Sequence, residues 1–312
     1  MLLLFVISFS SNKISDRIYL ELSKNNLYEA ERLIYDVLNG NPKDVDALFA
    51  KSIIIMKYAE RYKDKELRRE KYSQALKILD SLKNKLSGFY YYHFIRAKIF
   101  ENLGKIQESI KEYDTSIYHN PKFIDSYISK SLLFWKMGRI EESYRVVYPI
   151  REKYRVKMLI AWYDYQLSKY DSSIKVFTEI LDNPLHFKEL KENREVLNEL
   201  YFQIVWVGYR AGSKDSYWIE QNMKYNTNDY YSSVVSIIYG LTFGSNEEKV
   251  VKDCLYNIQK YPDKPYTFFI VYQILKKHDR EKRRNYLLFL KKAVELDLYN
   301  IDFRNILVKE NG

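Results

Sequence analysis

Eight residues of this sequence return 34 positions later in nearly the same form, Asn102-Leu103-Gly104-Lys105-Ile106-Gln107-Glu108-Ser109 and Lys136-Met137-Gly138-Arg139-Ile140-Glu141-Glu142-Ser143. A fixed period of this length is the mark of stacked helical hairpins and constrains the fold more than any composition could. Around the first copy, Ala97, Phe100 and Leu103 fall on one face of a helix, and Ile106, Ile110, Tyr113 and Ile117 on one face of the next. Gly104 and Gly138 stand between the helices, where the chain needs a left-handed residue that glycine adopts without a steric penalty. Ala97 and Ser131 in the first helices, with Ser109 and Ser143 in the second, are small enough to let the paired helices approach. Asn120-Pro121 ends the second helix, because proline lacks the amide donor and clashes with the preceding turn. Each helix runs to roughly 12–15 residues, about 20 Å. No single pair can bury its apolar face, so the pairs must stack.

These positions resemble the tetratricopeptide repeat family. Its small, aromatic, glycine, small, aromatic and proline positions fall on Ala97, Phe100, Gly104, Ser109, Tyr113 and Pro121. The next copy supplies Ser131, Phe134, Gly138 and Ser143, then Val147, and lacks the proline; the family's early tryptophan is replaced by His93 and Tyr127. The resemblance implies an all-α, right-handed superhelical solenoid of antiparallel helix pairs. It also implies a non-catalytic scaffold that holds a peptide or partner protein in the concave groove of its first helices.

The pattern can be followed along most of the 312 residues. A first repeat covers about 11–44, closed by Asn41-Pro42, and the second begins at Val45. Its second helix, with Ala75, Leu79 and Leu82, arrives late. Pro42 and Pro121 are 79 residues apart, 11 more than two repeats, and the charged stretch at 59–71 accounts for the excess. An insertion in the turn between the paired helices explains this, and its mixed charges favour an extended, salt-bridged helix pair over a nucleic-acid site. A shortened repeat at about 154–187 ends at Asn183-Pro184. Residues 185–195 are polar and without frame, which places a hinge or boundary there and divides the array into 11–187 and 188–312. Degenerate pairs follow at about 196–225, turning at Ala211-Gly212, and at 231–264. A last pair spans 267–300, and 301–312 forms a terminal cap.

Residues 1–10, Met-Leu-Leu-Leu-Phe-Val-Ile-Ser-Phe-Ser, are too short to span a bilayer, which takes about 20 residues. With Ser8 and Ser10 before a cleavage point they resemble a secretory signal, pointing to a periplasmic or envelope-associated protein. No lysine or arginine precedes the apolar run, and the alternative is a cytoplasmic chain with a short apolar cap on its first repeat.

The residues offer little chemistry. His93, His119, His186 and His278 are scattered, with no zinc-hydrolase spacing. There is no phosphate-cradling glycine loop and no nucleophile elbow. The single Cys254 rules out an internal disulfide and reads as a small buried hydrophobe. No catalytic residue, cofactor or metal is expected, and nothing long enough to be a membrane span.

What remains is surface. The groove positions implied by the resemblance are Phe49, Ile53 and Met56, then Phe94, Ile95, Lys98 and Asn102. Ile128, Leu132, Trp135 and Lys136 come next, followed by Met158, Trp162 and Tyr165. The expected contact set is Phe94, Lys98, Leu132, Trp135, Met158, Trp162 and Tyr165, suited to an apolar or aromatic peptide segment. A tighter winding would bury several of them as core. Some family members clamp a terminal carboxylate, but Phe94, Lys98 and Ser129 do not assemble that set. The net charge of +10 leaves a second class open, an anion-binding module. Its candidate residues are Lys276, Lys277, Arg280, Lys282, Arg283 and Arg284, which lie across the last turn without interleaved aromatics.

Overall fold

The computed structural model of the protein describes residues 13–244, 246–278 and 285–311. Among these are nineteen α-helices and one 3-10 turn, with no strand. Residues 1–10, read above as a secretory signal, lie outside the described part. The helices divide after Pro149 into two compact units. The first unit pairs α1 (Lys13–Ser23) with α2 (Leu27–Gly40) and α3 (Val45–Arg61) with α4 (Lys65–Ser81). After a single helical turn, α5 (Lys83–Leu86), it pairs α6 (Tyr90–Asn102) with α7 (Ile106–His119) and α8 (Ile124–Lys136) with α9 (Ile140–Val147). In the second unit α10 (Tyr154–Gln166) pairs with α11 (Tyr170–Asp182). The rest are α12 (Pro184–Glu192), α13 (Arg194–Arg210), α14 (Tyr217–Tyr225), α15 (Asp229–Phe243), α16 (Glu247–Lys260), α17 (Pro265–His278), α18 (Leu287–Leu296) and α19 (Ile301–Asn311).

Two segments differ from the sequence expectation. The charged stretch extends the α3–α4 pair, but among the described residues it is not salt-bridged. It lengthens α3 and α4 to 17 residues each around a short turn, with the Asp64 side chain capping α4 by accepting from the Leu67 amide. Charged side chains can stay solvated on a helix surface, and among the described residues no ion pair joins those of 61–71; Arg68 donates instead to the Tyr62 carbonyl. Residues 185–195, expected to be frameless, are mostly the helix α12. Pro184 occupies its first turn, where a missing amide costs nothing, and Asn183 accepts from the Leu185 and His186 amides. The same Asn-Pro that stops α11 therefore starts α12. The division at 187/188 read from the sequence falls inside α12, in the second unit.

The small residues of each hairpin do more than make room. Ser109 Oγ donates to the Ala97 carbonyl at 2.9 Å, Ser131 Oγ to the Ser143 carbonyl at 2.6 Å, and Ser173 Oγ to the Ala161 carbonyl at 2.7 Å. Each bond joins partners twelve residues apart across the turn, and all six residues are fully buried. The turns that align them are left-handed at Gly104 and Gly138, with φ of 75° and 73°.

The α6–α7 pair carries a further polar brace. Glu112 on α7 accepts from Arg96 Nε at 2.9 Å and lies 2.6 Å from His93 Nδ1, while His93 Nε2 is 2.8 Å from the Ser87 carbonyl. Burial pushes the Glu112 carboxyl up, but the hydrogen bonds from His93 and Arg96 outweigh it and hold the group below its ordinary value.

The second unit closes on itself through α19. Asp302, near the start of that helix, receives Arg210 Nε and Nη2 from α13 at 2.9 and 3.0 Å, and Tyr165 Oη from α10 at 3.2 Å. Tyr165 Oη in turn accepts from Trp206 Nε1 at 2.8 Å. Gln166 Oε1 accepts from the Ile301 amide at 2.5 Å, so a buried side chain of α10 serves as cap for α19. Phe303 stacks on Phe269 with centroids 4.5 Å apart and meets Trp206 edge-on.

Three stability outcomes follow from these contacts. Ser109→Ala is expected to cost about 1 kcal/mol in equilibrium unfolding, the value of a neutral hydrogen bond. Ser109→Leu should cost more, because the added volume has nowhere to go. Asp302→Asn leaves the buried Arg210 without its counter-charge and should cost about 3–5 kcal/mol, whereas Arg210→Met combined with Asp302→Leu should cost less than either single change. For Glu112 the folded pKa is the lower one, so its contribution is complete above the unfolded value of 4.5 and disappears as pH falls through the folded one. Glu112→Gln should therefore destabilise by about 2 kcal/mol near neutrality, with parent and variant converging in acid unfolding curves only below the lowered folded pKa.

Candidate functional site

The contact residues expected from the sequence lie on α6 and α8 in the first unit and on α10 in the second. Phe94 packs on Tyr91 at 5.6 Å and edge-on to Phe123 at 5.1 Å, and it is buried. Trp135 is buried at 3% exposure, and Tyr165 at 1% is the hub of the Asp302 network. These three are buried. Their aromatic surface has been spent inside the protein, so they cannot themselves meet a partner. Phe49, Ile53, Ile95 and Met56 are buried for the same reason.

Lys98, Leu132, Met158 and Trp162 stay half-exposed. On α8, Ile128, Leu132 and Lys136 follow one another at four-residue spacing and so share a stripe. On α6, Lys98 and the exposed Asn102 are likewise four apart. Glu101 links the two helices, accepting from Lys136 Nζ at 2.8 Å and from Tyr113 Oη at 3.0 Å, with Lys98 Nζ at 4.0 Å. The result is a face on the first unit with an apolar centre, Ile128 and Leu132, and lysines at its margin. In the second unit Met158 and Trp162 lie against the apolar core of that unit.

The basic run is only partly described, because Arg280, Lys282, Arg283 and Arg284 lie outside the described residues. Lys276 is exposed and ion-paired with Glu310, whose hydrogen bond holds the ammonium above its ordinary value. Lys277 and His278 both approach Glu247, at 3.9 and 2.7 Å. Lys276 and Lys277 line an open cleft of about 510 Å³ between α17 and α19, which Glu310 also enters. Carboxylates thus offset the charge at the described end of this run.

Cys254 is fully buried, and burial pushes its thiol up to about 12, well away from nucleophilic chemistry at neutral pH. Among the described residues no group of histidine, cysteine and carboxylate side chains could hold a metal ion. No described helix is long and apolar enough to cross a membrane.

No family model and no curated protein matches this sequence. Solved structures do match. Over 96% of its length the chain is similar to the Rap conjugation gene regulator of the plasmid pLS20, in complex with the Phr* peptide; it covers 96% of that chain at 14% identity and a TM-score of 0.52. Over 97% of its length it is similar to a chain of the APC/C hetero-tetramer Cut9–Hcn1, at 11% identity and a TM-score of 0.51, and it spans 56% of that chain. A tetratricopeptide repeat protein from Parabacteroides merdae matches over 96% of this chain and 98% of its own, at 14% identity and a TM-score of 0.48. The first two are likenesses of fold, and together with the paired helices described above they show an all-α, tetratricopeptide-like helical-repeat fold.

Proposed function

We propose that this chain is a non-catalytic interaction scaffold that holds a peptide segment of a partner protein on the α6–α8 face of its first unit. The observation that carries the reading is the half-exposed apolar pair Ile128 and Leu132, set on inner helices and flanked by Lys98 and Lys136. Accessible apolar groups on an otherwise charged surface commonly mark contact sites. An amphipathic partner segment would lay its apolar side on Ile128 and Leu132 and direct acidic or polar groups to the lysines. The fold likeness adds support, since the Rap structure is of a complex with a peptide and the Cut9–Hcn1 structure is of a protein assembly.

Affinity capture from the native cell's lysate tests this, with the parent chain beside Ile128→Glu/Leu132→Glu and the helical content of both checked by circular dichroism. Tyr118→Glu, on the outer face of α7 and 81% exposed, is the control. A partner held by the parent and the control should bind the folded double variant at least about tenfold more weakly, as expected for loss of a contact centre. Equal retention by all three would sink the reading. Nucleic acid retained by all three and released by moderate salt would instead favour the basic C-terminal run.

A further inference from the structure

The second unit contains a partly open pocket, apolar on one side and polar at its mouth, that the α6–α8 reading leaves unused and does not depend on. It has a volume of about 80 Å³ and lies among α11, α13, α14 and α15. Four isoleucines, Ile174, Ile204, Ile219 and Ile238, form its walls, with Trp218 at one side. An apolar cavity that admits benzene measures about 150 Å³, so this one has room only for a group smaller than benzene, such as the isopropyl end of a branched alkyl chain.

Gly208 keeps the pocket open. It sits within α13 with an ordinary helical φ, so the backbone does not require glycine there. A Cβ at this position would meet only Ser213 Cβ, at an unstrained 3.8 Å. Glycine in a helix is unfavourable relative to alanine. Neither packing nor conformation explains the residue, whereas free space in the pocket does.

The hydroxyl groups around the pocket are engaged within the protein. Tyr209 Oη donates to Gln273 at 2.9 Å, Thr242 Oγ1 to the Ile238 carbonyl at 2.8 Å, and Ser213 Oγ accepts from the Asp215 amide at 3.2 Å. Asp215 is the charged residue of the lining. One of its oxygens accepts from the Tyr217 amide at 2.9 Å, and no cation among the described residues pairs with it. The side chain is exposed, which places a carboxylate where an aliphatic group in the pocket would meet solvent.

We propose that this pocket binds a branched aliphatic group bearing an ammonium a few bonds away, with the alkyl end among the isoleucines and the ammonium at Asp215. A free branched alkylamine and the amino terminus of a leucine-initiated peptide share this chemistry.

The test uses the full chain labelled with ¹³C at isoleucine δ1 methyls, titrated with 3-methylbutylamine, 3-methylbutan-1-ol, Leu-Gly-Gly and N-acetyl-Leu-Gly-Gly. Saturable shifts at Ile174, Ile204, Ile219 and Ile238 are expected with 3-methylbutylamine, and the alcohol should bind about fivefold more weakly. Asp215→Asn should remove that difference, and Gly208→Leu should abolish the shifts while leaving distant methyls unmoved. Binding of Leu-Gly-Gly but not of its acetylated form identifies the peptide terminus as a source; binding of the amine alone identifies the free amine. No saturable shift at the four methyls, or equal affinity for amine and alcohol, overturns the proposal. Should Gly208→Leu fail to fold, Asp215→Asn, an exposed change, still decides it.

Discussion

Everything in this structure depends on how closely the two helices of a pair can approach. In three hairpins the contact is made by small residues twelve positions apart, and a serine hydroxyl spans it to the partner helix's carbonyl. The serine is small enough to permit the contact and polar enough to secure it, and its buried hydroxyl is satisfied rather than stranded. The left-handed turn at Gly104 or Gly138 sets the phase that brings those two positions opposite each other. With the phase set, larger residues such as Phe100, Tyr113 and Phe177 are buried.

The two units treat their inner helices differently. In the second, α19 lies against α10, α13 and α17, and the aromatics that might have received a ligand instead receive Phe303. Burying Arg210 and Asp302 together is not an efficient source of stability, since apolar residues of the same volume often do as well. It is selective, however: Asp302 has its bidentate partner only if α19 docks in one position, and Gln166 caps the helix only there. In the first unit the inner stripes of α6 and α8 keep Lys98, Ile128, Leu132 and Lys136 at the surface. That difference leaves an accessible apolar stripe on the first unit.

The helical pairs were legible because they rest on local rules: a period, a glycine between helices and an Asn-Pro stop. The same kind of local signal serves twice at Asn183-Pro184, which is the cap and first turn of α12 as well as the stop of α11. The contact surface was less legible. Phe94, Trp135 and Tyr165 sit at the same kind of helical position as Leu132, Met158 and Trp162, and nothing in a helical period separates a residue that faces the groove from one that a neighbouring helix covers. Cys254 could be placed, because a small hydrophobe on the inward stripe of a second helix is buried whatever stands across from it.

The sequence by itself determined that the chain is an array of antiparallel helix pairs, since hydrophobic period, turn residues and proline stops act within about thirty residues of one another. It also determined which small residues mark the close contacts. Only the tertiary structure decided which inner residues remain available. Asp302 lies 92 residues from Arg210 and 137 from Tyr165, and no local propensity connects them. Likewise the opening kept by Gly208 exists only once α11, α13, α14 and α15 are assembled around it. Exposure is a property of neighbours brought together by the fold, and a one-dimensional pattern carries no record of them.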